Sequence, residues 1–177
     1  MSGMIRISIL LLVVLALLAA GCGGGDGGDA ATTTAASTGA SANALPKDEF
    51  IKRGDEICKD LQPKAAALGR EAQELSGVSL DDPKTTKAAA VIWHKQVALV
   101  KELKTRFDAL GPPPEGEETT VGDFRADIAQ ALTLGRQIAT ALDQGSDPSA
   151  LVGDYTQMID QSNATAGLIG FKVCGQS

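Results

Sequence analysis

The most reactive side chains of this 177-residue sequence are three cysteines, Cys22, Cys58 and Cys174, and a single histidine, His94. A thiol can be acylated, form a disulfide or bind a metal, and an imidazole can act as a base or as a metal ligand. No Cys-x-x-Cys pair occurs, and the further ligands that a two-cysteine metal site needs are not apparent. Each cysteine is therefore interpreted from its surroundings.

Cys22 stands directly after an apolar segment and three small residues. Arg6 precedes residues 7–18, which are almost entirely apolar, and residues 19–21 are Ala-Ala-Gly. A membrane-spanning helix needs about 20 apolar residues, so this segment is short for a span. Its length and flanks are typical of a signal peptide.

The sequence from Leu18 to Cys22 resembles the lipobox of bacterial lipoproteins, although the commonest form has leucine three residues before the cysteine, where this chain has Ala19. In those proteins the cysteine thiol is diacylglycerylated and the chain is cut just before it. The resemblance implies a signal peptide over 1–21, a lipidation site at Cys22, and membrane lipid as a partner at the extracytoplasmic face of the cell membrane. Two alternatives are an ordinary secretory signal that leaves Cys22 as a free thiol, and an uncleaved signal anchor.

Residues 22–46 form the next predicted segment. Up to Ala44 they include only Cys, Gly, Asp, Ala, Thr, Ser and Asn. Such a segment buries nothing that offsets the entropy lost on ordering, so we expect a disordered tether. A Gly-rich coil of this length has a root-mean-square reach of about 25–30 Å.

Composition limits what the remaining domain, residues 47–177, can bind. The formal charge of the whole chain is −6, and removal of residues 1–21 makes it −7. Nucleic acids need Lys and Arg to displace counterions, and anionic headgroups attract basic segments, so we exclude nucleic acid and expect the lipid to supply membrane attachment. Few aromatic residues and abundant alanine favour closely packed helices over a β-sandwich.

Apolar residues in the domain recur at spacings of three and four, which predicts four helices. The short joints between them favour antiparallel neighbours, so the predicted fold is all-α, an antiparallel up-down-up-down four-helix bundle. The predicted core positions include Phe50, Ile57 and Leu61 in the first helix, Trp93, Val100 and Phe107 in the second, Phe124, Ile128 and Ile138 in the third, and Tyr155, Met158 and Ile169 in the fourth.

The helix boundaries are predicted from capping residues. We expect helices to start at Asp82-Pro83, at Asp147-Pro148 and at a capping box of Thr120 with Asp123. We expect them to end at Gly77, Gly111, Gly145 and Gly175. Pro63 lies inside the first helical pattern, where it is expected to kink or split the helix. Glycines within helices, such as Gly54 and Gly135, indicate either close helix contact or a flexible, ligand-lined bundle.

With Cys22 assigned to lipid, Cys58 and Cys174 remain as an even pair in a compartment where disulfides persist. In the predicted bundle the first and last helices are neighbours, and both cysteines lie towards the same end. A bond between them closes a loop of more than a hundred residues, worth about 4–5 kcal/mol in the chain-entropy model. We therefore predict a Cys58–Cys174 disulfide.

No catalytic or metal-binding constellation is apparent. Ala90 and Val91 stand where a ferritin-like Glu-x-x-His motif would need its glutamate ahead of His94, and no nucleophile-elbow pattern surrounds any serine. We expect His94 at the edge of the buried face, and no catalytic residue, metal or cofactor. Residues 112–114 are three prolines, which are interpreted as a rigid spacer, with recognition by a partner's aromatic groove as the alternative.

The ending Gly-Phe-Lys-Val-Cys-Gly at 170–175, Phe50-Ile51 ahead of Asp-Glu-Ile-Cys at 55–58, and the Leu-Gly-Pro-Pro joint at 110–113 resemble a group of small lipoproteins from GC-rich actinobacteria. The likeness extends over nearly the whole chain: lipobox, low-complexity tether, and a helical domain with one cysteine near each end. It implies the Cys58–Cys174 pairing and an envelope location, and it implies no activity.

Three functions are consistent with these features. The leading hypothesis is a non-enzymatic, lipid-anchored module that binds another, unknown protein of the cell envelope. The second is a carrier or sensor of a small apolar ligand held inside the bundle. The third, an envelope hydrolase, requires His94 beside a serine or an aspartate in a cleft.

Overall fold

The computed structural model describes residues 44–175, so the predicted signal peptide, Cys22 and most of the predicted tether lie outside the described residues. Within this range the chain is all-helical, with four helices and no strand, as the sequence predicts. The helices are α1 (Lys47–Glu74), α2 (Pro83–Asp108), α3 (Glu118–Asp143) and α4 (Ser149–Ile169).

Each helix packs against the next one in the chain, and their apolar faces form a single core. The twelve core positions given above are buried, whereas other positions of the same apolar pattern, among them Leu75, Val97, Leu103 and Leu151, are only half-buried. Five alanines are among the buried residues. This core holds Phe50, Ile57, Leu61, Ala89, Ala90, Trp93, Val100, Phe107, Val121, Phe124, Ile128, Ala131, Leu132, Ile138, Ala139, Leu142, Val152, Tyr155, Met158, Ala166, Ile169 and Phe171.

Three ion pairs join the exposed edges of α1 and α2. They are Asp60–Arg106 at 2.7 Å, Lys64–Glu102 at 2.6 Å, and Glu71–Lys95. The residue numbers rise along α1 while they fall along α2. Exposed pairs contribute about 0–1 kcal/mol each, so their main effect is on the relative position of the two helices.

The aromatic side chains form two groups. All four phenylalanines of the chain are in contact at one end of the core, with Phe171 stacked on Phe50 and at an angle to Phe107 and Phe124. Such pairs contribute about 0.5–1.5 kcal/mol beyond their buried area. This aromatic group therefore brings together the N-termini of α1 and α3, the C-terminus of α2 and the segment after α4.

The only tryptophan and the only tyrosine form the second aromatic group. Trp93 and Tyr155 meet edge to face, with ring centroids 5.1 Å apart. The Gln96 side-chain amide donates to the Tyr155 hydroxyl at 3.2 Å. Burial raises the pKa of Tyr155, since the phenolate would lose its hydration.

The predicted helix starts are right at Asp82, displaced by one residue at Asp147, and wrong at Thr120. The Asp82 carboxylate accepts from the Lys84 amide, with Pro83 as the first residue of α2. Asp147 accepts from the amide and hydroxyl of Ser149, which lower the pKa of Asp147, although α4 begins after Pro148. Helix α3 begins two residues before Thr120, without a side-chain cap, since Pro114 and Glu117 already turn the chain into the helix.

The predicted helix ends hold for three of four glycines. Gly77, Gly111 and Gly145 have φ between 67° and 84°, the left-handed conformation that glycine adopts at low cost. The fourth was expected at Gly175, but Gly170, with φ of 104°, closes α4. Its amide and that of Phe171 donate to the Ala166 carbonyl, and residues 171–175 form a turn beyond the helix.

Pro63 does not split α1, which is one continuous helix across it. A proline in a helix removes the hydrogen bond to the carbonyl four residues earlier. That carbonyl belongs to Lys59, and both residues are exposed. Water can therefore bind the freed carbonyl in place of the missing amide. The predicted split is wrong, and the alternative of a kink at Pro63 stays a prediction.

Two of the glycines inside helices lie at close contacts. A Cβ atom on Gly54 would lie 2.3 Å from a ring carbon of Phe171, and one on Gly135 would lie 3.2 Å from a methyl carbon of Val97. The same atom on Gly153 or Gly167 would meet nothing within 4 Å. Close packing thus explains Gly54 and Gly135, and nothing in the structure explains the other two.

These contacts predict opposite effects for two equivalent substitutions. Gly54→Ala forces Phe171 out of its aromatic group, and we expect it to lower the free energy of unfolding by about 1–3 kcal/mol. Gly153→Ala, in an open position, should raise it by about 0.5–1 kcal/mol. Urea unfolding of both variants measures the difference, and equal effects would contradict the close contact at Gly54.

Candidate functional site

The most elaborate side-chain arrangement of the described residues joins α1 to the turn after α4. We call it the C-terminal clasp, and define it as Gly54, Asp55 and Cys58 of α1 with residues 171–174. Cys58 and Cys174 form the predicted disulfide, with an S–S distance of 2.07 Å and a Cα–Cα distance of 5.3 Å. The two residues are 116 positions apart, so the bond closes most of the domain into one loop.

Asp55 is the polar centre of the clasp. Its carboxylate accepts from the backbone amides of Lys172 at 3.0 Å, Val173 at 2.8 Å and Cys174 at 3.4 Å. Three amides of one turn that point to a single spot form an anion-binding concavity. Here the chain's own carboxylate fills it, and charge-assisted bonds of this kind are stronger than neutral ones.

Phe171 is the apolar centre of the clasp. Its ring lies over Gly54, where any larger residue would clash, and its other edge contacts the remaining phenylalanines. Only 4% of its surface is exposed. The turn after α4 is therefore held to α1 by a covalent bond, a shared carboxylate and a buried ring.

This arrangement is suited to holding the fold together. Both sulfur atoms are bonded to each other, so the clasp presents no thiolate for nucleophilic attack or metal binding. The amide concavity is occupied by Asp55, which leaves no room for an external anion. The sequence predicted the disulfide but not the role of Asp55, because its partners lie more than 110 residues away and are backbone atoms.

His94 lies at the surface of α2, beside buried Trp93 as expected. Its Nε2 atom is 2.9 Å from a carboxylate oxygen of Asp143, at the end of α3, and more than half of each side chain is exposed. A catalytic dyad needs a nucleophile within hydrogen-bond reach and shielding from water. The hydrogen bonds of His94 within the described residues include no hydroxyl or thiol.

One carboxylate is buried without a cation beside it in the described part of the chain. Asp127 on α3 is only 5% exposed, and it accepts from the Gln161 amide and the Thr165 hydroxyl of α4, each at 3.1 Å. Two partners from one neighbouring helix satisfy both oxygens. The only sequence signal of this site is an acidic residue adjacent to the core position Ile128.

The proline-rich joint between α2 and α3 is packed against the domain. Pro114 is fully buried, and Arg125 donates to the carbonyls of Phe107 and Gly111 at 3.1 and 2.6 Å. The guanidinium therefore caps the C-terminal end of α2, where a positive charge is favourable. This packing agrees with a rigid spacer better than with a peptide that a partner's aromatic groove binds.

Neither a metal cluster nor a membrane span is found over residues 44–175. No group of three or more His, Cys, Asp or Glu side chains there is placed to bind a metal ion. None of the four helices is both long enough and apolar enough to cross a bilayer. Cys22, the predicted lipidation site, lies outside the described residues, so the structure carries no information about it.

Comparison of the chain with known protein families, with curated proteins and with solved structures finds no match. The function is therefore argued from the chain's own residues.

The disulfide should make a large contribution to stability. Replacing both Cys58 and Cys174 by serine removes the cross-link of a loop of more than a hundred residues, and we expect a loss of about 4–5 kcal/mol. Urea unfolding of the variant, and of the parent protein with and without reductant, measures this loss. A parent protein that reductant leaves unchanged would contradict a stabilising disulfide.

The Asp55 carboxylate should contribute more to the free energy of unfolding than an exposed carboxylate does. In Asp55→Asn an amide group faces the backbone amides of the turn, and we expect a loss of about 2 kcal/mol. Asp60→Asn, which breaks only the exposed ion pair with Arg106, is the matched control and should cost less than about 1 kcal/mol. Equal losses in thermal unfolding would show that the clasp does not depend on Asp55.

Proposed function

We propose that this chain is a lipid-anchored, extracytoplasmic interaction module of the bacterial cell envelope, without enzymatic activity. The observation that carries the proposal is the order of its segments. A lipobox-like cysteine, Cys22, precedes a predicted tether that has no branched aliphatic or aromatic residue up to Ala44, and a helical domain closed by a disulfide follows. We further propose that it belongs with the small actinobacterial lipoproteins that its sequence resembles.

The disulfide supports an extracytoplasmic location. Disulfides persist in oxidising compartments and are rare in the bacterial cytosol, where thiols are kept reduced. Cys58 and Cys174 are bonded, and their Cα–Cα distance of 5.3 Å lies within the usual range for a disulfide. Export through a signal peptide at residues 1–21 would deliver them to such a compartment.

We propose an antiparallel, up-down-up-down order for the four helices. The contacts between neighbouring helices support this order, because the residue numbers rise along one helix while those of the contacting residues fall along the other. Along α2 and α3, His94 contacts Asp143 and Phe107 contacts Phe124. Along α3 and α4, Asp127 contacts Gln161 and Thr165, while Gly135 lies beside Tyr155.

This order gives the module a direction relative to the membrane. The start of α1, to which the predicted tether connects, lies at the same end as the clasp and the four phenylalanines. The joints between α1 and α2 and between α3 and α4 then lie at the far end. A tether with a reach of about 25–30 Å would leave the sides of the domain accessible to other proteins.

The state of the histidine and the cysteines favours a binding function over a catalytic one. The single histidine is solvent-exposed and its hydrogen-bonded partner is a carboxylate, and the sulfurs of the domain form a disulfide. The alternative of a small apolar ligand inside the bundle has less support, because Phe171 and Val97 occupy the space beside Gly54 and Gly135.

Replacement of Cys22 tests the anchor. In Cys22→Ala, expressed as the full chain in a bacterial host, we expect loss of palmitate label and release from the membrane fraction, because one thiol carries the acyl chains. The control is Cys58→Ala/Cys174→Ala, which should keep the label. Label that survives in Cys22→Ala, or membrane retention without it, would contradict the proposed anchor.

A further inference from the structure

The contacts that hold the turn after α4 do not need the disulfide bond. The Asp55 carboxylate accepts from backbone amides, and Phe171 packs among the three other phenylalanine rings. Neither interaction involves a sulfur atom. Both can therefore form in the reduced chain, before Cys58 and Cys174 are bonded to each other.

The turn is also held on its other side, by the end of α4. The amides of Gly170 and Phe171 donate to the Ala166 carbonyl at 3.2 and 3.1 Å. A Cβ atom on Gly175 would lie 3.1 Å from the Asn163 carbonyl oxygen, so the chain there runs close to the α4 backbone. The turn is therefore fixed at both of its ends, and the residues between them have little freedom.

The position of Asp55 in α1 determines where these contacts bring the second cysteine. Asp55 and Cys58 are three residues apart, so they lie on the same side of the helix, about one turn from each other. One of the amides that donate to Asp55 is that of Cys174, at 3.4 Å. Closure of the turn on the carboxylate consequently places Cys174 beside Cys58, with 5.3 Å between their Cα atoms.

We infer that Asp55 and Phe171 are positioning residues for disulfide formation: they close the clasp in the reduced chain and so select the Cys58–Cys174 pair. The chain has three cysteines, and three different pairs can be drawn between them. The inference depends on the clasp alone, and it holds whether or not Cys22 is acylated.

The bond forms by thiol–disulfide exchange with a small disulfide such as oxidised glutathione. One protein thiolate attacks a glutathione sulfur, forms a mixed disulfide and releases the other glutathione as a thiolate. The second protein thiolate then attacks the protein sulfur of the mixed disulfide and releases the second glutathione. Two electrons pass to glutathione, and each released thiolate takes up the proton that a cysteine has lost.

The second attack is the step that a closed clasp favours, because it joins two sulfurs of the same chain. Cys58 and Cys174 are 116 residues apart, and even short flexible linkers give effective concentrations only in the mM range. Two groups that are fixed in a productive orientation reach effective concentrations several orders of magnitude higher. The clasp therefore favours this pair over any pair with Cys22, which precedes α1 by the predicted tether.

The coupling between Asp55 and the disulfide acts in both directions. Whatever closes the clasp favours the bond, and the bond favours the closed clasp by the same free energy. Loss of the Asp55 contacts must therefore lower the equilibrium constant for disulfide formation as well as the free energy of unfolding. A residue that stabilised the reduced and oxidised forms equally would leave that equilibrium constant unchanged.

Equilibration of the full, unacylated chain with reduced and oxidised glutathione in detergent tests the inference. We expect Asp55→Asn to lower the equilibrium constant for the Cys58–Cys174 bond about tenfold relative to the parent, because the charge-assisted bonds to the turn are lost. Phe171→Leu should act in the same direction, since a smaller side chain fills less of the space above Gly54. Alkylation of free thiols and mass spectrometry give the fraction of each pair, and circular dichroism verifies that the reduced variants keep their helices.

Asp60→Asn is the matched control. It removes a negative charge two residues after Cys58, whereas Asp55→Asn removes one three residues before it. Asp60 bonds to Arg106, outside the clasp, so the equilibrium constant of this variant should equal that of the parent. An equal fall in both variants would show that charge near the thiol acts, and not the contacts to the turn, and would overturn the inference.

Hydrogen exchange in the reduced parent tests the order of events without any variant. We expect the amides of Lys172 and Val173 to exchange at least about tenfold more slowly than in the unfolded chain, because Asp55 binds them without the disulfide. If these amides exchange at the unfolded rate while the helices remain protected, the clasp needs the covalent bond and the inference is wrong.

The distribution of pairs separates this inference from the proposed anchor. In Asp55→Asn the ratio of Cys58–Cys174 bonds to bonds with Cys22 should fall by the same factor as the equilibrium constant. An unchanged ratio overturns the selection of pairs, whatever Cys22→Ala does to membrane retention. A chain that Cys22 does not hold at the membrane, but whose ratio falls as expected, overturns the anchor and leaves this inference standing.

Discussion

The fold depends on how its two ends are joined. Helix α1 packs along its length on α2, and its connection to the end of the chain runs through the turn after α4. Three contacts hold that turn to α1. Asp55 supplies acceptors for its amides, Phe171 fills the space above Gly54, and the Cys58–Cys174 bond makes the arrangement covalent. Without the clasp, α1 would be held chiefly by one neighbouring helix and by exposed ion pairs.

Much of this fold follows from local rules that a sequence displays. The three- and four-residue spacing of apolar side chains predicted the four helices, and the pairing of Cys58 with Cys174 followed from export and helix order. Asp82 and Gly145 could be assigned because capping depends on residues a few positions apart. The start of α3 could not be predicted in this way, because it depends on how the joint at 112–117 packs. The continuity of α1 at Pro63 could not be predicted either, because it depends on whether water reaches the Lys59 carbonyl.

The features that sequence reasoning missed share a physical cause. Asp55 and Asp127 each look like one more acidic residue on an acidic chain, and their roles arise only when partners distant in sequence are brought near them. The end of α4 was predicted at Gly175 and lies at Gly170, because nothing local reveals that Phe171 must turn back towards Gly54. Long-range packing, and not local helix propensity, determines where α4 ends.

Under the proposed function, the clasp lies at the end of the domain that the predicted tether joins to the membrane. The premise of that function is the modification of Cys22, and the intact mass of the protein extracted from membranes tests it most directly. We predict a chain that begins at Cys22, carries diacylglycerol on that residue, and is two hydrogens lighter than its reduced form because of the Cys58–Cys174 bond. An unmodified chain that begins at any other residue would contradict this account.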